Sequence, residues 1–174
     1  MSRQLPRTLK NMNVFVDGSS FAGVAKTITL PKITKKTEDY RGAGMIGDVA
    51  LDLGYEKMEC EVTYAGFDPR QFAHLSVCGT SDLPIRFVQI HERQDTCSIQ
   101  NAEYYMRGQA IEVDPGDSTL GEMSEYKSMY NVTYMRLEVD GQLVFELDFV
   151  NGIETFGETN RADEIMLLLG LQAQ

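Results

Sequence analysis

The fold is decided by one stretch, residues 126–152, which reads YKSMYNVTYMRLEVDGQLVFELDFVNG. Its second half alternates apolar residues with polar ones such as Glu146 and Asp148, and this period of two is typical of a strand with one apolar face. Between the two halves, Asp140-Gly141 is a strong signal for a tight turn. The stretch therefore predicts a long antiparallel hairpin.

The first half of this hairpin carries large apolar groups on both alternating positions. They are Met129, Met135, Leu137 and Val139 on one parity, and Tyr130, Val132 and Tyr134 on the other. A strand with two apolar faces needs cover on both sides. We expect the second cover to come from another subunit, because the chain is small.

Further strands are predicted on both sides of the hairpin. Met12–Val16, the turn Asp17-Gly18 and Val24–Leu30 predict an opening hairpin. From Lys57 to Tyr64, apolar residues alternate with polar ones, which predicts a strand with an acidic outer face. Two more strands are expected at Pro84–Arg93 and Asn101–Val113.

Two short helices complete the prediction. Asp68-Pro69 begins a helix that runs to Cys78 and is expected to bury Phe72 and Leu75. Asn160 caps a second helix, whose apolar residues are Ile165, Leu168 and Leu169. The 174 residues are enough for one domain, 1–174, of mainly β class: an antiparallel sandwich or barrel of two sheets with one or two short helices.

The segment 32–54 differs from its surroundings. It begins with charged residues, continues with Gly42, Gly44 and Gly47, and has little apolar periodicity until Val49. A loop or protruding hairpin of about 20 residues is uncommon in a compact domain and usually has a function.

Composition excludes several classes of protein. Hydrophobic residues make up 43% and charged residues 24%, and no apolar run is long enough for a membrane helix. The basic N-terminus has no apolar core, so no secretory signal is expected. Three widely spaced cysteines argue against a disulfide framework, and we expect them to be reduced.

Charge is distributed unevenly along the chain. Residues 1–41 contain eight basic and three acidic residues, a net +5, whereas residues 42–174 contain eight basic and 23 acidic residues, a net −15. One copy's basic segment could meet the acidic body of the next copy, or it could simply be solvated. The acidic body is in either case a poor surface for binding nucleic acid.

Motifs for chemistry are weak. Gly42 to Gly47 match the spacing of a dinucleotide-binding loop, but neither a buried strand before them nor a helix after them is predicted. His74 and His91 have no metal ligand at suitable spacing. Carboxylate pairs such as Glu59 with Glu61 are expected to form a solvated acidic face, because the chain has no tryptophan to stack on sugars. No enzyme, metal or cofactor is predicted.

Seven segments, taken in order, resemble the major tail tube proteins of contractile-tailed bacteriophages and the tube subunit of R-type pyocins. They are Met12-Asn-Val-Phe-Val-Asp-Gly18, Ile28-Thr-Leu-Pro-Lys32, Tyr40-Arg-Gly-Ala-Gly-Met45, Met106-Arg-Gly108, Glu112-Val-Asp-Pro-Gly-Asp117, Tyr134-Met-Arg-Leu-Glu-Val-Asp-Gly141 and Asp148-Phe-Val-Asn-Gly152. The resemblance spans nearly the whole chain.

This resemblance implies a structural virion protein that assembles into stacked hexameric rings. The rings would form the inner tail tube inside a contractile sheath and conduct DNA during ejection. Implied partners are other copies of the chain, the sheath, the tape measure and the baseplate, with assembly in the bacterial host cytoplasm and DNA passing without specific binding.

The resemblance also implies roles for particular residues. Segment 32–54 would be an arm that contacts neighbouring subunits, mainly through Lys35, Lys36, Tyr40, Arg41, Gly42, Gly44 and Met45. Acidic strand residues would face the lumen, with Glu59, Glu61, Glu146 and Asp148 as candidates. The alternatives are a type VI secretion or bacteriocin tube subunit and, more distantly, a lipocalin-like ligand-binding barrel.

Overall fold

The computed structural model describes residues 5–157, 159–160 and 162–171; Arg3 of the basic segment and the tail 172–174 lie outside them. The strands are β1 (Arg7–Val16), β2 (Ser19–Ser20), β3 (Ala25–Thr29), β4 (Lys35–Tyr40), β5 (Val49–Tyr55), β6 (Met58–Ala65), β7 (Leu83–Arg93), β8 (Ile99–Asp114), β9 (Glu125–Val139), β10 (Gln142–Asp148), β11 (Ile153–Phe156) and β12 (Thr159–Asn160). The helices are α1 (Arg70–Ala73), which continues as a 3₁₀ turn over His74–Ser76, and α2 (Ala162–Leu168).

Two antiparallel sheets are formed by the described strands. Ten strands make the main sheet in the order β12-β11-β10-β9-β8-β7-β1-β2, while β6 pairs with the first half of β9 and β3 pairs with β6. The second sheet contains β4 and β5. One face of the main sheet encloses a single core to which β1, β6, β7, β8, β9 and β10 contribute. The predicted fold class, mainly β with two short helices, is confirmed.

The core is filled by large side chains. Tyr64, Tyr130, Phe21 and Phe87 are all completely buried, and the hydroxyls of the two tyrosines lie 3.2 Å apart. A ligand-binding barrel would instead keep space at its centre, so the packing does not support the lipocalin-like alternative.

A β-bulge at Thr133 corrects the prediction of two apolar faces. Gly108 of β8 pairs with Val132, but the preceding Arg107 pairs with Tyr134, so Thr133 is an extra residue in β9. One extra residue exchanges the two faces of a strand. Val132 and Met135 therefore both point into the core, and β9 has one apolar face, which this subunit covers by itself.

The bulge also marks a change of neighbour. Before it, β9 pairs with β6 up to Val132, and after it β9 pairs with β10 from Tyr134 onward. The backbone carbonyl of Thr133 accepts a hydrogen bond from Phe149 N–H at 3.0 Å. Two shorter strands, β6 and β10, thus share one edge of β9.

The opening hairpin was only partly predicted. Asp17 and Gly18 form a tight turn with φ of 49° and 72°, but the returning strand β2 has only two residues. The chain then leaves the edge of β1 because Phe21 enters the core. The predicted partner, Val24–Leu30, contains β3 and pairs with β6 instead.

The first helix buries different residues from those predicted. Phe72 and Leu75 are 42% and 43% exposed, whereas Gln71 and His74 are buried. Phe72 with Leu75 and Gln71 with His74 have the same three-residue spacing. The prediction chose the apolar pair, and it was wrong. On this face His74 Nδ1 lies 3.5 Å from the buried hydroxyl of Tyr130. The burial of Gln71 has no such explanation, because neither polar atom of its side chain has a hydrogen-bond partner among the described residues.

The second helix begins as predicted. Asn160 Oδ1 accepts a hydrogen bond from Ala162 N–H at 3.2 Å. Ile165, Leu168 and Leu169 are exposed, so the predicted apolar face lies on the subunit surface. Among the helices described, none has the length and apolar character needed to cross a membrane.

Candidate assembly surfaces

The segment predicted to be an arm is a hairpin outside the main sheet. Its strands β4 and β5 pair with each other, with Tyr40 opposite Val49 and Glu38 opposite Leu51. Tyr40, Val49 and Leu51 therefore share one face with Glu38, and all four are exposed. An isolated two-stranded hairpin is marginally stable in water. We call this face, defined by Tyr40, Val49 and Leu51, the apolar face of the arm.

The arm is joined to the body at its base. Tyr55 stacks on Phe149 with ring centroids 5.7 Å apart, and its hydroxyl donates to Glu154 Oε1 at 2.7 Å. Lys35 forms an ion pair with Asp52 at 2.5 Å across the two strands. These contacts hold the base of the arm.

The tip of the arm is organised by its own backbone. Arg41 donates to the carbonyl of Ile46 at 3.1 Å, Met45 N–H donates to the Gly42 carbonyl at 3.2 Å, and Gly44 has φ of 84°. Ile46 is 99% exposed. The predicted contact residues therefore lie together on the arm, with Lys36 exposed on β4 and Lys35 near its base.

The glycine-rich tip has no features of a nucleotide site. Residues 42–47 connect two strands of a hairpin, and no helix follows them. Within the described ranges, no group of three or more His, Cys, Asp or Glu could hold a metal ion. The three cysteines are free, and burial raises the pKa of Cys60 to about 12, so this thiol stays protonated.

All four predicted lumen residues occupy positions on the outer face of the main sheet, opposite the core, and Glu59, Glu61 and Glu146 are half-buried there. Glu59 pairs with Asn131, which pairs with Gln109 on β8. Tyr105, four residues before Gln109, lies on the same face of β8. The row from Tyr105 continues across the sheet to Arg136 and Glu146. Glu61 lies two residues after Glu59 on β6 and shares this face. We call it the outer face.

The fourth candidate, Asp148, has a different environment. It is only 4% exposed, and its carboxylate accepts hydrogen bonds from Val150 N–H and from the backbone and side chain of Asn151, at 2.8–3.0 Å. Its carboxylate therefore holds the turn between β10 and β11 and is covered in the subunit.

Sequence reasoning missed three arginines on the outer face. Arg86 and Arg136 are direct cross-strand neighbours of Tyr105, and Arg107 follows Tyr105 by two residues. An open groove of about 830 Å³ lies against them. The sequence could have indicated these arginines, because each of them lies in a predicted strand.

His74 belongs to a buried cluster beneath the first helix. It lies edge-on to Phe21 and near Tyr130, with ring centroids 6.2 and 6.4 Å away. Burial lowers the pKa of His74 below its usual value; Arg70 adds to this effect, while Asp17 and Asp68 oppose it. The imidazole is therefore held neutral in the folded subunit.

His74 should make the subunit less stable in mild acid. The unfolded chain binds a proton at pH values where the folded chain does not, so the free energy of unfolding falls as the pH drops below 6.5, the unperturbed pKa. The slope is at most about 1.4 kcal/mol per pH unit for one such group. Chemical denaturation between neutral pH and pH of about 5 measures this slope.

His74→Gln should remove this part of the pH dependence. His91, which lies on β7 and contacts Gln89, is outside the cluster, so His91→Gln is the matched control and should keep the dependence. Equal pH profiles for His74→Gln and the wild type would contradict the assignment.

Several strand edges of the main sheet are open in the described structure, among them those of β1 and β3. β1 pairs with β7 along its length, but its other edge pairs only at Phe15 and Val16, with β2. β3 pairs with β6 on one side only. Open edges present unpaired backbone donors and acceptors that can pair with another chain.

Comparison with known proteins adds an independent result. The model of the family described as phage tail tube protein FII matches residues 6–170. The chain is 40% identical over 170 residues to the tail tube protein of Escherichia phage P2, covering 96% of this chain and 99% of that protein. It is 34% identical over 170 residues to the major tail tube protein of Serratia phage KSP20, covering 96% and 98%.

A solved structure shares the fold at much lower sequence identity. A chain of the sheath-tube complex of the PVC extracellular contractile injection system, in its extended state, matches with a TM-score of 0.58 and 6% identity. The match covers 76% of this chain and 91% of that one. With the family match over nearly its whole length, the chain belongs to the phage tail tube protein FII family, a family of structural tail proteins.

Proposed function

We propose that copies of this chain assemble into hexameric rings that stack into the inner tail tube of a contractile tail and form a channel for DNA ejection. The observation that carries this proposal is the hairpin of β4 and β5, which lies outside the main sheet and leaves Tyr40, Val49 and Leu51 exposed. A neighbouring copy would cover these side chains and stabilise the hairpin. Lys35, Lys36, Arg41, Gly42, Gly44 and Met45 complete the proposed contact.

Open strand edges support ring closure. If β1 of one subunit pairs with an edge strand of the next, the main sheets join around a lumen and the unpaired backbone groups are satisfied. A head-to-tail contact of this kind closes into a ring when the rotation between neighbours allows it.

The outer face is our candidate for the lumen wall. It carries Glu59, Glu61 and Glu146, and like charges would keep the DNA backbone from adhering during passage. The buried carboxylate of Asp148 would contribute less to this repulsion.

Proposed partners are the sheath, the tape measure and the baseplate, and the proposed site of assembly is the cytoplasm of the bacterial host. The fold shared with a chain of a sheath-tube complex supports the sheath as a partner. The same likeness supports a second candidate, a tube of an injection or bacteriocin-like particle. The DNA content of purified particles distinguishes the two. No catalytic activity is proposed.

Electron microscopy of the purified protein tests the assembly. We expect rings or tubes, and a homogeneous monomer at high concentration would contradict the proposal.

If the basic first quarter meets the acidic body of a neighbour, the amount of sedimentable tubes should decrease as the salt concentration rises, because screening acts over about 8 Å at physiological ionic strength. Assembly that is insensitive to salt would indicate contacts of apolar and backbone character.

A further inference from the structure

The groove on the outer face brings three arginines together on adjacent strands. Arg86 lies on β7, Arg107 on β8 and Arg136 on β9, and all three line the groove. Their side chains are 45%, 49% and 37% exposed. Three accessible guanidinium groups around one groove are a typical phosphate-binding arrangement.

Aromatic rings support two of these arginines. The guanidinium of Arg86 lies 5.5 Å from the ring centroid of Phe15 and 5.6 Å from that of Tyr105. Arg107 lies 4.3 Å from the ring centroid of Tyr134. Stacking of this kind limits the motion of a guanidinium group and favours binding of a planar or phosphate ligand.

A carboxylate nevertheless neutralises each arginine. Glu103 Oε2 accepts hydrogen bonds from Arg86 Nε at 2.9 Å and Nη2 at 2.6 Å. Asn101 and Tyr105 also donate to Glu103, at 2.7 and 2.8 Å. Burial alone would raise the pKa of Glu103, but these hydrogen bonds outweigh it and lower the pKa, so the carboxylate stays charged.

The other two arginines are paired as well. Arg136 donates to Glu138, which lies two residues along the same strand. Arg107 Nη2 lies 3.7 Å from Asp148, whose oxygens are already used by the turn. Glu103 and Glu138 are only 17% and 21% exposed, less than the arginines that they neutralise.

We propose that Glu103 and Glu138 are masking residues, which prevent a groove with the architecture of a phosphate-binding site from binding the backbone of nucleic acid. The inference rests on the proposed function, because it explains how a channel wall could contain arginines and still let DNA pass. A few unpaired arginines in each subunit, repeated around every ring, would bind the duplex strongly. Paired arginines keep their packing with the aromatic rings while contributing no net charge.

Replacing the masking residues Glu103 and Glu138 should allow the subunit to bind DNA. Glu103→Gln with Glu138→Gln keeps the size of both side chains and removes the ion-pair partners of Arg86 and Arg136. The affinity of the unassembled full-length subunit for a short, fluorescently labelled DNA duplex should rise at least about tenfold at about 50 mM salt, and the gain should disappear as salt is raised. Fluorescence anisotropy measures both effects.

Glu112→Gln with Glu122→Gln is the matched control. Both residues are exposed, Glu112 on β8 and Glu122 in the loop before β9, and neither forms an ion pair with another described residue. This control removes the same two negative charges without freeing an arginine, so it should leave DNA binding close to that of the wild type. Equal gains in both double variants would show a general charge effect and would overturn the masking role.

A second set of variants tests whether the gain in DNA binding comes from the arginines and not from a change in the fold. Arg86→Gln and Arg136→Gln, added to the unmasked variant, should abolish the gain, and circular dichroism reports folding in each case. If the unmasked variant is folded and does not bind DNA, the inference fails. Binding is measured on free subunits, so this outcome does not depend on tube formation. Failure of the wild-type protein to form tubes would instead contradict the proposed function.

Discussion

A subunit whose arm is shortened, so that Asn-Gly joins Thr37 directly to Asp52, is expected to fold normally and to form no tubes. Thr37 and Asp52 are cross-strand partners, so a two-residue turn can connect them. Residues 38–51 lie outside the main sheet; Gly42 and Met45 are half-buried, and the other residues of this segment are exposed. Their removal should change the free energy of unfolding by less than about 1 kcal/mol.

Thermal unfolding and electron microscopy together check this expectation. A shortened subunit with the stability of the wild type and normal tubes would show that the arm is dispensable for assembly. An unstable subunit would show that the arm belongs to the folding unit, which contradicts the hairpin's separation from the main sheet.

Point variants on the two faces of β5 sharpen the test. Leu51→Glu places a charge on the apolar face of the arm, whereas Ala50→Glu places the same charge on the opposite face, across from Asp39. We expect Leu51→Glu to reduce the sedimentable fraction at least about tenfold, since an unpaired charge buried in an interface costs several kcal/mol. Ala50→Glu should retain most assembly. Equal effects would contradict the proposed apolar contact.

Gly108→Ala is expected to have the largest effect on stability. A Cβ at Gly108 would lie well within 3.0 Å of the carbonyl oxygen of Asn131 and at 3.0 Å from the Cα of Val132. Both atoms belong to the backbone of β9 at the bulge, so they have little freedom to move away. We expect a loss of about 2–3 kcal/mol, and a larger loss for Gly108→Val.

Gly47→Ala is the matched control for this prediction. A Cβ at Gly47 would meet nothing within 4 Å, and this residue is not among those with positive φ. Chemical denaturation should show a change within about 0.5 kcal/mol for Gly47→Ala. If Gly108→Ala left the free energy of unfolding unchanged, β8 and β9 would be able to separate at the bulge. That result would contradict the register of these two strands.

Local patterns were sufficient to predict most strands. The alternation from Lys57 to Tyr64 predicted β6 and its outward acidic face, and Asp140-Gly141 predicted the turn between β9 and β10, where both residues have positive φ. For segment 32–54 the sequence predicted a loop or a protruding hairpin, and the structure has a hairpin outside the main sheet. These features depend on side-chain period and turn chemistry, which neighbouring residues determine.

Long-range packing decided the features that the sequence did not predict. His74 and Phe72 fit a helix equally well, and the tyrosine hydroxyls beneath the helix favoured burial of the polar residue. Asp148 looked like an exposed carboxylate because it alternates with apolar residues, but three donors in the following turn cover it.

The hairpin from Tyr126 to Gly152 contains both kinds of feature, those that the local sequence determines and those that long-range packing decides. Its sequence by itself determined two antiparallel strands and the turn that joins them, because the period of two and Asp140-Gly141 are local. Only the tertiary structure decided that Thr133 is a bulge, since its position depends on pairing with Arg107 and Gly108, about 25 residues earlier. That single extra residue turns two apparent apolar faces into one core face, and leaves an outer face free to carry paired charges.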